Sequence, residues 1–244
     1  MRRIAFALVA LLVVSAAAAV ELPQVTLSFQ DAGNAGMARV LQILLLLTAL
    51  SLAPAFMVMV TSFTRIIVVL SFLRRALATQ TLPPNQLLIG LALFLTVFVM
   101  APVWQRVYAE AYAPLERGEI TQQQAFTAGM EPIREFMLSQ TREKDLALFV
   151  DMARIEKPEG PKDLPTFVVI PAFVTSELRT SFQMGFLLFL PFLVIDMVVA
   201  SVLMSMGMMM LPPVMISLPL KIVLFVLVDG WALVVRSLAE SFVR

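Results

Sequence analysis

Neither cysteine nor histidine occurs in these 244 residues, and charged side chains make up only 14% of them. Without cysteine there is no disulfide and no thiolate nucleophile. Without histidine there is no imidazole base, and the two absences together remove nearly all zinc and haem ligation. Lack of cysteine is compatible with an oxidising compartment. Charge is balanced as well as scarce, 18 basic against 17 acidic residues, so no broad field selects nucleic acid or an acidic substrate. The nine glycines form neither a Gly-x-x-x-x-Gly-Lys loop nor a Gly-x-Gly-x-x-Gly turn. No catalytic constellation, metal site or cofactor is expected.

What the chain has instead is apolar surface. Hydrophobic residues are 60% of it, whereas a soluble domain carries about 25% charge. The expected fold class is all-α and membrane-associated: about four long apolar helices in two hairpins, several kinked by proline, with a small polar helical segment. Residues 1–20 read as a cleaved signal peptide, with Arg2 and Arg3 before a short apolar stretch and a small-residue cleavage zone. Residues 21–39 form a short polar lead. Residues 40–104 make the first apolar hairpin, in which run 40–60 continues through Phe63 into a second patch, 66–73, ending at Arg74 and Arg75. Residues 105–165 hold 19 of the 35 charged side chains, and 166–244 make the second hairpin.

A signal peptide and the positive-inside rule give an orientation. The mature N-terminus starts outside, Arg65, Arg74 and Arg75 mark a cytoplasmic turn, and 105–165 is periplasmic. Within that segment Thr121 and Gln124 fit a capping box opening a short helix. Pro132 suits the first turn of a following helix over 133–139. Leu146, Phe149, Val150 and Ala153 share one face of a helix over 141–155. Pro54, Pro102, Pro191 and Pro219 interrupt the apolar runs. They suit either ordinary kinked membrane helices or helices packed mainly on protein.

The second hairpin is the most informative stretch. Its run from Met184 to Arg236 carries one acid on the way down, Asp196, and one base on the way back, Lys221. Between them lies an uncharged turn, Ser205-Met206-Gly207-Met208-Met209-Met210-Leu211-Pro212-Pro213. Asp196 is twelve residues before Met208 and Lys221 twelve after Met209, so an antiparallel hairpin sets both at one depth. Ionisable groups at membrane depth face a partner or a wet cavity. Two readings compete at Lys221: a structural ion pair with Asp196, or a side chain snorkelling to the interface. Three successive methionines in a turn suit either a buried plug or, in several copies, a soft constriction. Asp229, beside Gly230 and Trp231, reads as interfacial.

Pro171-Ala172-Phe173-Val174-Thr175-Ser176-Glu177-Leu178, followed by Phe182-Gln183-Met184-Gly185-Phe186, resembles the signature of the FliP family of flagellar export-gate proteins. The stretches 132–137, 140–143, 191–196, 207–213 and 227–231 resemble further blocks of it. One departure is Ser181, where a glycine or alanine is expected. The resemblance implies a core channel-forming subunit of the flagellar type III export gate, a homopentamer that passes unfolded flagellar proteins. It implies FliQ and FliR as channel partners, FlhA and FlhB in the wider apparatus, FliO as assembly factor, and membrane lipid around them. The implied location is the basal body in the bacterial inner membrane. It also implies that Met208, Met209 and Met210 form a gasket sealing the closed pore. Asp196 and Lys221 would be the family's charged hairpin residues, with Glu177 and Arg179 as candidate subunit contacts. Much of such an assembly sits at or above the periplasmic face, which puts the four-span layout in question. Virulence-type relatives share the hairpin but typically lack a cleaved signal peptide, so residues 1–20 favour the flagellar branch. A small-solute transporter coupled through Asp196 is the remaining alternative, and the absence of an internal repeat counts against it.

Overall fold

The computed structural model describes residues 34–79, 81–155, 160, 163–208 and 210–243. The expected signal peptide, most of the polar lead and Met209 lie outside the described residues. The chain divides into two units, residues 1–52 and 53–244. The described residues form helices joined by turns, with no strand among them, as the all-α class requires.

In the first unit the leucine-rich α1 (Asn34–Met59) begins; it runs through Pro54 before it ends. The apolar run does not continue into the next patch. Thr61 donates to the Val58 carbonyl at 3.2 Å and accepts from the Phe63 amide at 3.4 Å. Such local bonds compete with the helical ladder and end it.

In the second unit α2 (Phe63–Ala76) buries Arg65, Ile66, Val69, Leu70, Leu73 and Ala76. That 3-4 spacing is one complete helix face. It packs along α6 (Thr166–Ser205), where Gly185 lets the two helices close: a Cβ there would stand 2.6 Å from the Phe72 ring. The apolar patch 66–73 is therefore part of a core helix. The Arg65 side chain is buried and paired with Glu177 inside the chain.

The second apolar run also departs from its expected boundary. α3 (Asn85–Val107) does not stop near Gln105 but widens into a π-helical turn, Tyr108–Tyr112, and a last helical turn, Ala113–Glu116. The wider turn stacks Tyr108 on Tyr112, with ring centroids 5.3 Å apart. The rod ends at Gly118, whose φ of +71° suits glycine, with the Glu119 amide reaching back to the Pro114 carbonyl. Arg117 beside Glu119 holds that carboxyl below its usual range through a direct hydrogen bond.

The polar segment then forms α4 (Gln122–Gln140) and α5 (Glu143–Ala153). Both hydrogen bonds of the Thr121–Gln124 capping box are present. Thr121→Ala should lower stability by about 1 kcal/mol, read as a small drop in melting temperature with unchanged helicity. Pro132 does not start a new helix; it lies inside α4 and is buried. Proline removes one backbone donor, and burying its ring while keeping one apolar face continuous offsets that loss. Leu146, Phe149, Val150 and Ala153 of α5 pack on Met137, Leu164, Val168, Val169 and Phe173 as one small core.

The larger core joins α2, α3 and α6 to α7 (Pro213–Leu227) and α8 (Gly230–Glu240), with Leu70, Leu88, Phe192 and Phe225 at its centre. None of the four prolines in the apolar runs ends its helix. Away from water the backbone has no better partner than its own ladder, so the helix persists with one bond missing at each.

Three helical stretches are long and apolar enough to cross a membrane: 40–59, 85–116 and 166–205. α7 and α8 qualify only as a pair, and they bend by 65° at Asp229. With 40 residues α6 is about 60 Å long, twice a hydrocarbon core of about 30 Å. Its first half lies against α2, α4 and α5, and only its second half carries a long exposed apolar surface.

Candidate functional site

The hairpin tip is built by a glycine. α6 ends at Ser205, and Gly207 at φ +72° reverses the chain. The Gly207 amide donates to the Met204 carbonyl and the Met208 amide to that of Leu203, which closes a Schellman turn. Pro212 and Pro213 then open α7, where a missing amide proton costs nothing. This geometry pushes the thioethers outward: Met206 and Met208 are exposed and Met210 is 98% exposed. A soft, uncharged tip with no polar side chain beyond Ser205 cannot hold a hydrophilic ligand, but it can pack against copies of itself.

Behind the tip the structure brings Asp196 and Lys221 together. Lys221 Nζ donates to Asp196 Oδ2 at 2.6 Å, and Ser217 Oγ donates to Asp196 Oδ1 at 2.6 Å. Lys221 is not at an interface: its side chain is 2% exposed, that of Asp196 33%. The sequence reading missed Ser217. Its signal was available, because residues four apart share a helix face. One carboxylate of α6 thus engages two successive turns of α7.

A second polar node lies at the far end of α6 and had no counterpart in the sequence reading. The Arg65 guanidinium forms a bidentate ion pair with Glu177, and its Nε donates to Oε2 at 2.9 Å. The other nitrogens reach Gln140 Oε1 at 3.0 Å and the Ser241 carbonyl at 2.9 Å. The Phe242 ring lies 3.9 Å from the guanidinium carbon. Gln140 also donates to the Phe242 carbonyl at 3.3 Å. One arginine on α2 thereby ties α4, α6 and the segment after α8. Ser181 fits this crowded wall: it is fully buried and donates to the Glu177 carbonyl at 2.6 Å.

Of the two candidate subunit contacts, Glu177 is fully buried with its carboxylate on Arg65, and Arg179 is exposed. Asp229 sits at the bend between α7 and α8 in the left-handed conformation, φ 51°. Beside it Gly230 is obligatory, because a Cβ would fall 2.2 Å from the Phe225 ring.

Long apolar helices, an uncharged methionine tip and two internal ion pairs define a helical membrane protein whose polar chemistry serves its own packing. A family model described as the FliP family matches residues 46–238. The flagellar biosynthetic protein FliP of Bacillus subtilis (strain 168) is 58% identical over 214 residues, 88% of this chain and 97% of the relative. Its counterpart in Pectobacterium carotovorum subsp. carotovorum is 62% identical over 201 residues, 82% of this chain and 78% of the relative. That of Caulobacter vibrioides is 56% identical over 206 residues, 84% and 77% of the two chains. The chain belongs to the FliP family, and is a membrane component of the flagellar export apparatus.

Proposed function

We propose that this chain is a core channel-forming subunit of the flagellar type III protein export gate, non-enzymatic and obligately oligomeric. It passes unfolded flagellar proteins through a pore that the methionine turns of several copies seal. The observation that carries this reading is the exposure of Met206, Met208, Met210 and Leu211 at the tip of a hairpin whose limbs are pinned by Asp196, Ser217 and Lys221. Apolar side chains left uncovered in one copy gain cover when copies converge on an axis. A thioether ring excludes water and ions by dewetting, yet deforms around a passing chain.

By family resemblance the assembly is a pentamer that joins FliQ and FliR, with FlhA and FlhB in the complete apparatus and FliO assisting assembly. It sits in the bacterial inner membrane at the basal body, with 105–165 on the periplasmic side. Arg179, exposed on α6, would contact a neighbouring subunit, and its exposure supports that role. Met208, Met209 and Met210 together form the gasket.

Two results test this. Expressed with FliQ and FliR, the detergent-extracted chain should form a discrete multimer that grows with its partners. Met208→Asn combined with Met210→Asn should leave that mass unchanged and open an ion leak in planar bilayers that the wild type lacks. Unchanged conductance would make the chain a scaffold without a pore.

A further inference from the structure

Between α2 and the middle of α6 runs an open trough of about 220 Å³. Phe72, Phe182, Phe186, Phe189, Leu190 and Leu193 line it. Its shape follows from Gly185. With no Cβ at that position the Phe72 ring sinks onto the α6 backbone and meets Phe182 edge to face, with centroids 5.1 Å apart. α2 ends at Ala76 while α6 continues, so Leu190 and Leu193 extend the trough beyond the end of its partner helix.

The acids of α6 that flank this trough, Glu177 and Asp196, are held by Arg65 and by Lys221. α2 and residues 178–195 of α6 contain no acid, but they carry Arg65, Arg74, Arg75 and Arg179. Arg65 is committed to Glu177, and Arg74 donates to the Pro83 carbonyl and to Asn85. Arg75 is exposed, one helical turn from Phe72, with its guanidinium carbon 6.0 Å from that ring's centroid. Among the described residues it has no hydrogen-bonding or ionic partner. A helix with its side chains is about 10–12 Å across, too thick for this volume, whereas a single alkyl chain of several carbons fits it.

We propose that the trough is a binding site for one anionic phospholipid, with an acyl chain along the aromatic wall and the headgroup phosphate on Arg75. The proposal rests on the membrane character of the chain and is independent of the gate reading. Guanidinium matches phosphate with a forked pair of donors, and the wall supplies contact without any polar atom to desolvate. The lipid would stiffen the junction at which α6 leaves the protein core.

Native mass spectrometry of the full-length protein, extracted in detergent and titrated with lipid, tests this. Phosphatidylglycerol and phosphatidylcholine of equal chain length are compared, with inorganic phosphate as a third arm and helicity checked by circular dichroism. One phosphatidylglycerol per chain should be retained about fivefold better than phosphatidylcholine, the preference a single membrane-facing cation provides. Arg75→Gln should erase that preference, Arg75→Lys should keep most of it, and Leu193→Trp should lower occupancy by both lipids. Retention unchanged in Arg75→Gln and Leu193→Trp would overturn the site. So would inorganic phosphate binding as well as the lipid. A Leu193→Trp variant that falls apart from a multimer with its lipid count intact would make the trough a protein contact instead.

Discussion

Arg65→Met is expected to cost about 3–5 kcal/mol of folding stability, because it strands a buried carboxylate. Glu177 is fully buried and this guanidinium is its bidentate ionic partner. A lone carboxylate cannot stay charged in that setting without a large desolvation penalty. The same substitution also removes the donor to the Gln140 amide oxygen and to the Ser241 carbonyl, and takes the cation from the Phe242 ring. For a chain of this size the loss corresponds to a melting temperature lower by roughly 6–20 °C. Limited proteolysis should then show the segment after α8 cut first, since Arg65 supplies most of its polar contacts to the helices, with Gln140 adding one. The double variant Arg65→Met, Glu177→Leu should recover much of the loss, as hydrophobic pairs often replace buried ion pairs at little cost. A single variant melting within about 2 °C of wild type would mean that water reaches the pair, and would remove the argument.

The Asp196–Lys221 pair should respond unequally to the loss of its two members. Lys221 is 2% exposed and Asp196 33%. Asp196→Asn leaves an ammonium almost wholly buried with no counter-charge. Lys221→Met leaves a carboxylate that is partly exposed and still accepts from Ser217 at 2.6 Å. The aspartate variant should therefore lose several-fold more assembled complex than the lysine variant, with a stability gap of about 1–2 kcal/mol between them. Exchanging the two residues should restore part of the assembly, since the hydroxyl of Ser217 can also accept from an ammonium. Native gels of the extracted complex measure all four proteins. Equal damage from both single variants and from the exchange would remove the ion pair as the register-setting contact.

These two nodes differ in how far the sequence foretold them. Asp196 and Lys221 stand alone in an apolar hairpin, and counting from the turn sets them at one depth. Ser217 follows from the same helix face. Arg65 and Glu177 are 112 residues apart, and Arg65 and Ser241 are 176 apart. No local period links them, so Arg65 reads in sequence as an ordinary basic residue near a turn. Only the packing of α2 along α6 reveals that it is buried. Pro132 and the π-helical turn were illegible for a related reason. Whether a proline starts a helix or rides inside one depends on what its ring packs against, and a π turn leaves no mark in hydropathy.

The sequence by itself determined the class of this protein. Scarce charge, long apolar runs and a charge-free methionine turn between two prolines and a glycine compel helices that satisfy their own backbone in an apolar medium. Its blocks of residues also carried the family. Tertiary structure alone decided which apolar faces meet protein. α2 is a core helix because Gly185 admits Phe72, and α6, 40 residues long, outruns a single bilayer crossing while packing on α2, α4 and α5. α7 and α8 break at Asp229 because Phe225 occupies the space beside Gly230. Hydropathy records how much a side chain gains by leaving water. It does not record whether lipid or another helix receives it, and that choice is made by shape.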